Sequence, residues 1–126
     1  MLRGELNLFD IVFYENRNGE KPVEQYIISL AIQQNKDARI KANKIAEYIK
    51  KLSEYGTHVG LPEVDKIEGT DLWELRPIRD RIFFAYWKDN TFVLLHHFVK
   101  KTQKTPKREI EQAERNLKDW LERFGE

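Results

Sequence analysis

Arg76 and Arg81, and the adjacent imidazoles His96 and His97 leading into Lys100 and Lys101, are the side chains of this sequence best suited to chemistry. Breaking an RNA phosphodiester by internal attack needs a base for the 2′-hydroxyl proton. It also needs cations to stabilise extra negative charge on phosphorus and an acid for the leaving 5′-oxygen. Histidine, lysine and arginine supply all three without a metal. Lys104, Lys107 and Arg108 prolong the basic run, and no acid interrupts it from Lys100 to Arg108. A near-neutral net charge of +1 therefore conceals a local basic patch able to meet phosphates. Plainer accounts stand beside these. Glu74 can pair with the arginines, a strand histidine can be a packed residue with its ring nitrogens satisfied, and a lysine run can be a solvated face.

Other chemistries lack their residues. The chain has no cysteine, so disulfides, thiolate metal sites and cysteine nucleophiles are excluded. His96 and His97 point to opposite faces of a strand and His58 is remote, so no metal site and no cofactor are expected. Ser29 and Ser53 fall in helical patterns without a Gly-x-Ser-x-Gly elbow, and no Gly-rich phosphate loop is present.

The positioning elements follow from periodicity. Leu8–Tyr14 predicts a strand, with a turn at Asn16–Gly19. Pro22 opens a helix carrying Val23, Tyr26, Ile27 and Leu30 on one face. A second helix starts near Lys36, with Ala38, Ala42, Ile45, Ile49 and Leu52 as its stripe and Gly56 as its stop. Val64–Glu68, Leu72–Arg76, Arg81–Trp87 and Phe92–Val99 read as strands, with short connections at Pro77–Asp80 and Lys88–Thr91. A final helix has Thr105 as N-cap, Pro106 at its first position, and Ile110, Ala113, Leu117, Trp120, Leu121 and Phe124 as its apolar face. This predicts an α+β fold. Its sheet is mainly antiparallel, with an N-terminal helical pair and a C-terminal helix packed on one side and the opposite face open. Residues 1–126 are expected to form one domain. No apolar run has membrane-spanning length and the opening Met-Leu-Arg-Gly-Glu-Leu lacks a signal-peptide layout, so a soluble cytoplasmic protein is expected, with no membrane partner.

Leu72-Trp-Glu-Leu-Arg76, Arg81-Ile-Phe-Phe-Ala-Tyr86 and Leu94-Leu-His-His-Phe-Val-Lys-Lys-Thr-Gln-Lys-Thr-Pro106 resemble the phage-derived branch of the RelE/HigB toxins of type II toxin-antitoxin systems. Phe13-Tyr14, Gly19-x-x-Pro22-Val23 and Lys66-Ile67-Glu68 fit the same pattern, so the resemblance covers nearly the whole chain. It implies a RelE-like, microbial RNase-like fold and a ribosome-dependent, metal-independent endoribonuclease that cleaves mRNA and so inhibits translation. It also implies a cognate helix-turn-helix antitoxin. Carried over by position, Arg76, Arg81 and Lys101 are candidate catalytic cations, with His97 or His96 handling protons. Lys100, Lys104, Lys107 and Arg108 would hold RNA backbone. Glu74 departs from the pattern of RelE, which has a lysine there, and no tyrosine follows the basic segment. The alternatives are a gyrase-directed toxin that cuts nothing, or an inactive binding module on the same fold.

Overall fold

The computed structural model describes residues 8–126. The opening hexapeptide considered above lies outside the described residues. The element order is β1 (Asp10–Phe13), α1 (Pro22–Ile32), α2 (Lys36–Tyr55), a 3₁₀ turn (Gly56–Val59), β2 (Val64–Lys66), β3 (Trp73–Leu75), β4 (Asp80–Tyr86), β5 (Thr91–Val99) and α3 (Lys107–Phe124). The five strands form one sheet in the order β1-β5-β4-β3-β2. All neighbours are antiparallel except β1 and β5, which run parallel. The expected α+β architecture is therefore present, with strand ends within two residues of the periodicity reading.

Local chemistry accounts for the element boundaries. Asn35 caps α2, its side-chain oxygen accepting from the Ala38 N–H at 2.8 Å. Gly56 ends that helix with φ +61°, and a Cβ there would come within 2.8 Å of the Phe9 ring. Asp89 and Asn90 both take positive φ, which the tight β4–β5 hairpin requires and these two side chains tolerate. The last helix begins one residue later than the sequence suggests. Pro106 serves as N-cap rather than first helical residue, because its ψ of 136° is extended while its carbonyl already accepts from the Glu109 N–H.

The expectation of one covered and one open sheet face is corrected. Val23, Leu30, Ala38, Ile45 and Leu52 of α1 and α2 pack with Leu75, Ile82, Phe84 and Leu94 on one face. On the other, Ala113 and Trp120 of α3 pack with Phe83, Ala85, Val93 and Leu95. The stripe of α3 shows that it must be covered but carries no mark of which face covers it. Ile82 to Ala85 are consequently buried on both sides as a continuous apolar run. Asp119 ties α3 to the N-terminal segment, accepting from the Tyr14 hydroxyl at 2.7 Å and Arg17 Nε at 2.6 Å. Its hydrogen bond from Arg123, above all, holds its carboxyl down to about 2.

A β-bulge in β5 sets the orientation of everything beyond it. Phe84 pairs with Leu94 but Phe83 pairs with His96, so Leu95 is an extra residue. Leu95 and His96 both face α3, and His97 is turned toward α1 and α2. The buried Asn116 of α3 donates to the Leu95 carbonyl at 2.9 Å. Asn116→Ala strands that carbonyl, and is expected to destabilise the protein by about 1–3 kcal/mol in urea unfolding. Gln112→Ala, which removes the donor to Asn116 Oδ1 and an exposed acceptor for Arg115, should cost less.

Candidate functional site

Leu75 pairs with Ile82, so one step outward the two strands bring Arg76 opposite Arg81 at the hairpin end. Arg81 pairs with Phe98 of β5, and the Lys100 N–H donates to the Arg79 carbonyl at 2.8 Å. The ends of β3, β4 and β5 thereby line a cleft of about 450 Å³ with Arg76, Arg79, Arg81, Lys100 and Lys101. Antiparallel pairing explains why cations far apart in sequence converge. Arg79 falls in the Pro77–Asp80 connection, to which the sequence pattern assigns no site residue. Three arginines within six residues, Arg76, Arg79 and Arg81, were the available signal.

Arg81 is the most enclosed of these cations, 8 % exposed. Its Nη1 donates to the Ile78 and Asp80 carbonyls at 2.9 and 2.8 Å, while its buried Nε has no partner. Burial pulls its guanidinium below the ordinary value, and Glu74 opposes that pull. Ile78 holds φ +57°, a conformation uncommon for a β-branched residue, so the lip of the cleft stores backbone strain.

Glu74 lies buried beside these cations, Oε1 3.9 Å from Arg76 Nε and Oε2 without a partner. Burial pushes its carboxyl above the usual range, against the fields of Arg81, Arg76 and Lys100. Arg76 also reaches Asp65 at 3.6 Å. The pairing of Glu74 with the arginines is therefore loose, and the cleft keeps an excess of positive charge. The cleft is suited in charge to an oxyanion, and a carboxyl with raised proton affinity lies beside two of its arginines.

The two histidines are separated by the sheet. His97 faces α1 and α2, where its Nε2 lies 2.9 Å from Asp80 Oδ1 and its ring stacks on Tyr26 at 3.6 Å between centroids. The Tyr26 hydroxyl donates to the same oxygen at 2.7 Å, and Lys41 stands 3.9 Å away. Asp80 is fully buried. Burial alone would raise its carboxyl, but His97, Tyr26 and Lys41 outweigh that and hold it below the ordinary value. His97 is thus on the far side of the sheet from the arginine cleft, because the bulge at Leu95 shifts the frame by one residue. His96 faces α3, with Nε2 2.7 Å from Glu109 Oε1. Neither imidazole lines the cleft with Arg76 and Arg81.

Lys104 and Lys107 are exposed, in the β5–α3 loop and at the start of α3, and do not line the arginine cleft. Arg108 lines a neighbouring cleft with Lys101. The sequence puts Tyr26 on the apolar face of α1, but nothing in it marks Asp80 or Glu109 as the partners that the bulge and α3 set against His97 and His96. Among the described residues no group of three or more His, Cys, Asp or Glu side chains is placed to hold a metal ion, and no helix is long and apolar enough to cross a membrane.

A family profile described as "Phage derived protein Gp49-like (DUF891)" matches residues 34–118, about two thirds of the chain. That span runs from the start of α2 through all the cleft-lining residues into α3. No curated protein matches the sequence.

Proposed function

The chain belongs to the phage-derived Gp49-like family, a toxin-like family related to RelE/HigB-type toxins, and on that premise we propose that it is the toxin of a toxin-antitoxin pair, acting as a ribosome-dependent, metal-independent endoribonuclease on mRNA. The observation that carries this reading is the cleft of five cations, Arg76, Arg79, Arg81, Lys100 and Lys101, beside a buried carboxyl with a raised affinity for its proton. Arg81 and Arg76 neutralise the scissile phosphate, and Lys101 stabilises the pentacovalent phosphorus. Glu74 is the better proton acceptor than His96 or His97, because it adjoins the arginines and each histidine is engaged with a carboxylate elsewhere. A cation of the cleft rim, Lys100 or Lys101, protonates the leaving 5′-oxygen. Lys104, Lys107 and Arg108 hold RNA backbone outside the cleft, and binding weakens steeply with salt as counterions are released.

In this reading the protein works in the cytoplasm as one domain. A helix-turn-helix antitoxin encoded beside it masks the cationic face. Induced expression in a bacterium, with growth and mRNA 5′ ends read together, tests the proposal. The expected result is growth arrest with new mRNA 5′ ends on ribosome-bound messages. Arrest with DNA damage and intact mRNA would instead point to gyrase, and the absence of arrest would sink the toxin reading.

A further inference from the structure

A second cleft, of about 640 Å³, adjoins the arginine cleft and shares Lys101 and Thr102 with it as a common wall. Its other walls include Phe98, Pro106, Arg108 and Glu109, so an aromatic ring and a proline ring stand beside a carboxylate. This composition differs from the first cleft, where cations dominate. We propose that the second cleft is a nucleobase subsite selective for guanine; the proposal rests on the reading that the arginine cleft takes an RNA phosphate.

Three observations support the assignment. First, the two clefts are contiguous, as the phosphate and base of one nucleotide are contiguous through the ribose. Flat apolar side chains serve base faces, and polar groups read base edges. Second, Glu109 is fixed in place. Its Oε1 is held by His96 Nε2 at 2.7 Å, and the His96 ring is itself stacked near Phe83 and Phe98. Third, Glu109 Oε2 has only Arg108 Nε at 3.6 Å, beyond hydrogen-bond distance, on a side chain that is 81 % exposed. A fixed carboxylate oxygen of this kind accepts and does not donate. Guanine presents two adjacent N–H groups on its pairing edge, N1–H and the 2-amino group. Adenine and cytosine each set one amino group beside an acceptor nitrogen, and uracil sets its one N–H between two carbonyls. The Glu109 carboxylate therefore prefers guanine, whose O6 and N7 acceptors are left to the donors Lys101 and Arg108 of the same cleft.

The His96–Glu109 pair gains a function in this account. It positions a specificity-determining carboxylate rather than moving protons.

The test is equilibrium binding of the four 3′-nucleoside monophosphates to the full-length protein, followed by NMR shifts and calorimetry. The expected result is that 3′-GMP binds about tenfold tighter than the others, the effect of one charge-assisted hydrogen bond. Phe98 resonances should move on binding. Glu109→Gln, whose amide oxygen still accepts from His96, should erase the preference, whereas Arg81→Ala should weaken all four nucleotides alike. Equal binding of all four, still weakened by Arg81→Ala, would overturn the base subsite and leave the phosphate cleft standing. A preference for guanine without movement at Phe98 would overturn the location. If no nucleotide binds, the base subsite falls, while the nuclease reading, which places the message on the ribosome, still stands or falls by growth arrest and mRNA 5′ ends. The wild-type preference is informative even if Glu109→Gln fails to fold.

Discussion

Arg81→Ala is expected to lower mRNA cleavage by about a hundred- to a thousand-fold while leaving a folded protein. One guanidinium accounts for so much because of where its donors point. Nη1 is committed to the Ile78 and Asp80 carbonyls, which fixes the plane of the group, and Nε is buried with no partner. On that fixed plane Nη2, which makes no hydrogen bond among the described residues and is not enclosed, is the nitrogen that meets a phosphate, so little reorganisation is needed. Lysine cannot restore this fork, so Arg81→Lys should recover little activity. Arg81→Ala also removes the largest cationic field on Glu74, whose carboxyl is then pushed higher still. Primer extension on mRNA after induction measures the first effect, and a carboxyl NMR titration of Glu74 measures the second. Cleavage within about threefold of wild type would remove Arg81 from the proposed mechanism. Arg76, more exposed and already shared between Glu74 and Asp65, should matter less.

The largest effect on stability is expected at Asp80. Asp80→Ala removes the acceptor that joins Tyr26 and His97, and should cost roughly 3 kcal/mol in denaturant unfolding, as for the loss of one partner from a buried charged cluster. Asp80→Asn keeps an acceptor oxygen and isolates the charge. Because the folded carboxyl titrates below its ordinary value, its contribution is fully present above the unfolded value near 4 and is lost as pH falls through the folded value. The stability of the wild type should therefore decline more steeply than that of Asp80→Asn below about pH 4. Parallel acid profiles for the two proteins would show that the cluster owes nothing to the charge of Asp80.

Element types were readable wherever residues repeat at a period. Ala38, Ile45 and Leu52 of the predicted α2 stripe are all buried, and Asp89-Asn90 forms the expected tight turn. The convergence of Arg76 with Arg81 followed from antiparallel pairing alone. What the sequence could not reveal depends on long-range placement. Nothing in the α3 pattern says that it crosses to the far face, and nothing in β1 says that it pairs parallel to β5. The faces taken by His96 and His97 hinge on one unpaired residue in β5 that no local signal marks.

That residue has a further consequence. Leu95 divides β5 into two reading frames: beyond it His96 and Phe98 share the α3 face and His97 is turned to Asp80, while Phe98 and Val99 reach the second cleft. Val99, which is only partly buried and lines the second cleft, can vary at less cost than His97 or Phe98, which pack against Asp80, Tyr26 and Phe83. A single deletion at position 95 would remove the bulge and leave His96 opposite Phe83 and His97 opposite Ile82, so both histidines keep their faces.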